Sequence, residues 1–95
     1  MDYQTSVVEN LLRNYYSLQV HPDSAFSFYK LDLENGLKSL KRQNEVLYFT
    51  IVNVFVNGMP IQDQAEKDGV TTRQVNYRLH DALYALTLIM NGGGL

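Results

Sequence analysis

The sequence predicts an all-α fold, a small bundle of four to five helices, and three observations support this. Apolar residues recur every three or four positions over residues 5–18 and again over 72–90, which lays one stripe along each helix. Thr71 and Gln74 form a T-x-x-Q capping box, the mark of a helix start. Gly58 and Gly69 stand just past helical runs, where a left-handed residue stops a helix. The 95 residues make one domain, 1–95, and 45% hydrophobic with 19% charged residues is a composition that folds.

In chain order, residues 5–18 read as a first helix, part of a leader over 5–19. Val7, Val8, Leu11, Leu12, Tyr15 and Leu18 lie on one side, with Glu9, Asn10, Arg13 and Asn14 opposite and Thr5 or Ser6 as the cap. This helix either packs across the rest of the domain to complete its core or serves a partner. His21-Pro22-Asp23-Ser24 reads as a turn. Residues 25–33 are open between an extended apolar connector and the start of the next helix. The favoured reading is helix from about Ser24, at least from Lys30, through Leu40, with Gly36 a tolerated weak point costing about 1 kcal/mol relative to Ala. Lys38, Lys41 and Arg42 form the basic cluster of the sequence. They are either a solvated face at a helix C-terminus, where cations complement the dipole, or phosphate contacts.

Residues 44–56 are the most apolar stretch. Their length favours a buried helix despite the β-branched content, with Val46, Leu47, Phe49, Ile51, Val52, Val54 and Phe55 as the central core. Asn57-Gly58 ends it.

A helix-turn-helix is then expected. Pro60 suits a first turn, Ala65 lets two helices approach, and Gly69 stops the first of them before Thr71 and Gln74 start the second. Val70, Val75 and Leu79 are expected to face inward, leaving Thr72, Arg73, Asn76, Tyr77 and His80 outward. The last helix is expected over 72–90. Its second half carries Leu83, Leu86, Leu88, Ile89 and Met90 with Tyr84 between them, more apolar surface than one-sided packing needs. Either the leader helix covers it or it pairs with a second copy as a homodimer. Residues 91–94 read as a glycine stop.

Several function classes are disfavoured. The chain has no cysteine, and His21 and His80 show no metal-ligand spacing, so neither a metal site nor a cofactor is expected. It also lacks a P-loop, a G-x-G-x-x-G fingerprint and a G-x-S-x-G elbow, so no enzyme is expected. No apolar run is long enough to span a membrane and no secretion signal opens the chain, which points to a cytoplasmic protein. The net charge of -2 and pI of about 5.5 oppose strong autonomous DNA binding, because Lys and Arg on phosphate supply most non-specific affinity. That balance suits a module brought to DNA by a larger partner.

The segments LENGLKSLKRQNEVL, IQDQAEKDGVTTRQV and VNYRLHDALYAL, in a module over about 31–90, resemble the fourth, promoter-reading region of bacterial sigma factors of the extracytoplasmic-function type. That region closes with a V-x-x-R-L-H-x-A pattern, here Val75, Arg78, Leu79, His80 and Ala82. Its lead-in is matched by Leu37, Leu40, Glu45, Val46 and Leu47, with Gln43 off the strict spacing. Small phage late transcription regulators have a similar layout. Gln64 and Asp68 stand where the family usually has aliphatic residues.

The resemblance implies that Thr72, Arg73, Asn76, Tyr77 and His80 enter the major groove of a promoter. Arg73 would bond guanine and Asn76 adenine, while the Thr71 and Thr72 hydroxyls and the capping amides at Thr71 and Gln74 would hold phosphate and Arg78 would face the backbone or an acidic neighbour. Lys38, Lys41 and Arg42 would be flanking phosphate contacts. RNA polymerase or a sigma-like protein is the implied partner, bound through apolar and tyrosine-rich surfaces. The alternative is a helical protein-interaction module, such as a phage or mobile-element inhibitor of a host protein, that has lost DNA binding. If Arg73, Arg78, Lys38, Lys41 and Arg42 share one face, DNA binding gains; if acids intersperse there, the interaction module gains.

Overall fold

In a computed structural model, residues 2–15 and 27–92 are described, and they form a helical bundle. The expected turn at 21–24, and the rest of 16–26, lie outside these residues. Among the described residues five helices follow in order: α1 Thr5–Arg13, α2 Ser27–Gln43, α3 Glu45–Ile51 continuing as a wider π-helical turn over Val52–Val56, α4 Ile61–Asp68 and α5 Thr72–Met90.

Helix α1 ends at Arg13, and the apolar pattern past Tyr15 lies outside the described residues. Asn14 caps the helix at φ -101°, and its backbone N-H and side-chain Nδ2 both donate to the Asn10 carbonyl, at 3.0 and 2.7 Å. Its N-cap is Gln4, with no side-chain bond, in place of the expected Thr5 or Ser6. Val8, Leu11 and Leu12 are buried as expected, but Val7 is exposed.

The core has two parts. The larger joins Val8, Leu11 and Leu12 of α1 to Leu33, Leu37 and Leu40 of α2, Ile51 of α3, and Ala82, Leu83 and Leu86 of α5. The smaller gathers Val54, Ala65, Val75 and Leu79, with Ile61 and Val70 against it. Phe55 packs on both. The π-helical turn falls where α3 passes from one core to the other, and Asn57 N-H closes it on the Val52 carbonyl at 2.9 Å. Helix α1 covers the apolar second half of α5, although Tyr84 and Leu88 stay exposed.

Two expectations about packing are corrected and one is extended. Val46 and Phe49 are 54% and 47% exposed rather than central, because α3 turns Thr50 and Ile51 inward. Thr50 is buried there because its hydroxyl donates to the Val46 carbonyl at 2.7 Å. Gly36 is a close-approach position as well as a glycine inside a helix, since a Cβ there would lie 2.9 Å from Leu86 Cδ1 and 3.0 Å from Met90 Cγ. Pro60 precedes the first turn of α4 instead of standing in it, with ψ 145°.

Tyr3, ahead of α1, is fastened to Asn91, the C-cap of α5. Asn91 Oδ1 accepts from the Tyr3 N-H and Asn91 Nδ2 donates to the Tyr3 carbonyl at 3.0 Å, while the Tyr3 hydroxyl donates to Asp32. Burial, reinforced by the bond to Asp32, pushes the Tyr3 phenol well above its ordinary range.

Candidate nucleic-acid interface

The local geometry between α4 and α5 follows from four residues. Gly69 takes φ 68° and ψ 34°, the left-handed conformation that ends α4 and lets Val70 N-H bond the Ala65 carbonyl at 3.0 Å. Thr71 Oγ1 then accepts from Gln74 N-H at 3.1 Å while Gln74 Oε1 accepts from Thr71 N-H at 3.0 Å, a complete capping box. Val75 and Leu79 are buried beneath α5 and Val70 is half-buried.

Thr71, Thr72, Arg73, Gln74, Asn76, Tyr77 and His80 are all exposed. Arg73 Nε donates to the Tyr77 hydroxyl at 3.0 Å, with the guanidinium 5.6 Å from the ring centre. Arg78 is different: it is half-buried and turned to Asp68, Nη1 to Oδ2 3.4 Å, so its acidic neighbour lies within the protein.

Asp68 also receives Gln64, which the sequence pattern marks only as a departure from an aliphatic position. Gln64 is 2% exposed and bridges two helices: Asn53 Nδ2 donates to its Oε1 at 3.0 Å, and its Nε2 donates to Asp68 Oδ2 at 2.7 Å. A polar chain Asn53–Gln64–Asp68–Arg78 thus fastens the π-helical turn to α4 and α5, and a buried amide with both ends bonded avoids the desolvation penalty. The spacing of Gln64 and Asp68, four apart on one helix, is the sequence signal for half of this chain.

Two concavities flank α5. On the Arg78 side an open groove of about 710 Å³ is lined by Val46, Phe49, Asn53, Lys67, Asp68 and Glu45 among others. On the opposite side a pocket of about 190 Å³ brings Asn76 and His80 beside Glu9, Arg13 and Phe55. The two share no lining residue.

No protein family, curated protein or solved structure matches this chain.

The basic cluster divides between these features. Lys38, Lys41 and Arg42 are exposed; Lys41 Nζ lies 5.5 Å from the Tyr48 ring and 5.7 Å from that of Phe49, at the groove, while Arg42 Nη2 donates to Ser39 Oγ at 3.2 Å. Acids intersperse in the groove, where Glu45 and Asp68 accompany Lys67 and Arg78. By contrast, residues 71–80 contain no carboxylate. Among the described residues no group of His, Asp and Glu side chains could hold a metal ion, and no helix is long and apolar enough to cross a membrane.

Proposed function

We propose that the chain is a DNA-binding transcription regulator in which α4 and α5 act as a helix-turn-helix of the sigma region-four kind. One observation supports this above the rest. Over residues 71–80 the outward face of α5 offers Thr72, Arg73, Asn76, Tyr77 and His80 with no carboxylate of its own; of the acids around it, Asp68 is met by Arg78 and Gln64, Glu9 beside Asn76 and His80 is met by Arg13, and exposed Asp81 follows. Arg73 would read guanine O6 and N7 and Asn76 adenine, while the exposed threonines would position phosphate.

The net charge of -2 leaves the chain alone only weak phosphate affinity, measurable at low ionic strength and too little for a search at physiological salt. A larger partner at the promoter, RNA polymerase or a sigma-like protein in the cytoplasm, would deliver it. The groove holding exposed Val46 and Phe49 is the surface such a partner would fill.

That groove also favours a second reading, an interaction module that binds a host protein and not DNA, since its cations are interspersed with Glu45 and Asp68. A homodimer would use Tyr84 and Leu88 on the last helix.

A pull-down of the tagged chain from host lysate, with and without nuclease, separates these readings. Promoter DNA recovered with polymerase or a sigma-like protein, and lost after nuclease, is the expected result. An unrelated protein that persists after nuclease, with no DNA enriched, would replace the DNA reading by the interaction module.

A further inference from the structure

The leader helix ends beside the reading face of α5, and its last residue is a cation that the sequence pattern assigns only to a solvated side. The Arg13 guanidinium lies 4.5 Å from the centre of the Phe55 ring, and Phe55 is itself wedged between the two cores. Arg13 Nε donates to Glu9 Oε2 at 2.9 Å. With the ring face and Nε engaged, the two terminal nitrogens have no hydrogen-bond partner among the described residues. The side chain is 52% exposed, and it lines the same small pocket as Asn76 and His80.

We propose that Arg13 is a phosphate contact of the bound duplex, gripping the DNA backbone beside the groove that α5 enters. This rests on the helix-turn-helix reading of α5. Stacking on Phe55 fixes the plane of the guanidinium, so little side-chain freedom is lost on binding, and the outer edge presents two parallel donors that match a phosphate. Lys38, Lys41 and Arg42 have no such placement, since Lys41 is held at the opposite groove. Glu9 is the competing anion: it neutralises Arg13 in the free protein, and the phosphate displaces it.

The test is fluorescence anisotropy of the full chain with a labelled random-sequence duplex of about two helical turns, titrated across salt concentrations from the lowest at which the protein stays dispersed. Each phosphate contact adds about 0.9 to the slope of log affinity against log salt. Arg13→Ala is expected to lower that slope by about 0.9, Arg13→Lys to keep it, and Glu9→Gln to tighten binding at every salt. Far-UV circular dichroism of each variant confirms that the helices are intact. An unchanged slope in Arg13→Ala, with the parent binding the duplex, overturns the role of Arg13 and leaves the reading face standing. Absence of wild-type binding to this duplex at the lowest salt overturns the Arg13 contact, while the reading face is then decided by selection with the partner present.

Discussion

If the polar chain through Gln64 fastens α4 to the rest of the domain, an isosteric change that reverses one hydrogen bond should be costly. Gln64→Glu keeps the volume, so no cavity contributes. It removes the donor that Asp68 Oδ2 accepts at 2.7 Å and sets a second carboxylate against the first. Loss of a charge-assisted bond is worth about 1.5–3 kcal/mol. The added repulsion is moderated by water, because the Asp68 side chain is 29% exposed, and it is capped by the introduced carboxyl's ability to take up a proton. A total of about 3 kcal/mol at neutral pH follows, which lowers the melting temperature of a domain this size by about 12–24 °C. Thermal unfolding followed by far-UV circular dichroism at pH 7 reads this directly. The introduced carboxyl can donate to Asp68 once protonated, so the deficit should shrink as pH falls towards about 4.5. A variant that melts within about 2 °C of the parent at pH 7 would show that the chain is not what joins these helices.

Other outcomes can be checked with the same instrument or a binding assay. Gly69→Val, at φ 68° with nothing within 4 Å of where its Cβ would stand, should cost about 1–3 kcal/mol through backbone strain alone; an unchanged melting temperature would misplace the turn. Gly36→Leu should cost about 1–3 kcal/mol by forcing Leu86 and Met90 aside, whereas Gly36→Ala should be near neutral, because flexible side-chain ends can yield and helix propensity improves by about 1 kcal/mol. The raised phenol of Tyr3 gives a pH signature. Its contribution is complete below the unfolded value of about 10 and is lost as pH rises towards the higher folded value, so the stability gap between parent and Tyr3→Phe should close above about pH 10. A gap that stays constant through that range would mean Tyr3 is as free to ionise folded as unfolded.

The positions legible in the sequence are those whose residue type has one local use. Thr71 with Gln74 and Gly69 specify a cap and a left-handed stop from neighbours only, and both are found where expected. Val75, Leu79 and Ala65 follow from helical spacing. What stays hidden depends on contacts distant in sequence. Val46 and Phe49 look like core in an apolar run, and only the packing of α3 leaves them at a groove. Gln64 looks like a defect in sequence because its partner Asn53 lies on another helix. Arg13 belongs to a polar stripe by periodicity, and only the fold sets Phe55, 42 positions away by residue number, beneath it.

The central claim is that the outward face of α5 reads DNA sequence. Its most direct test is selection from a pool of random duplexes by the parent chain and by Arg73→Ala, with the partner recovered from lysate added in parallel. The account predicts that the parent enriches one motif containing a guanine whose preference disappears in Arg73→Ala, while that variant keeps its melting temperature. Equal, unselective recovery of duplexes by both proteins, with or without the partner, would contradict it.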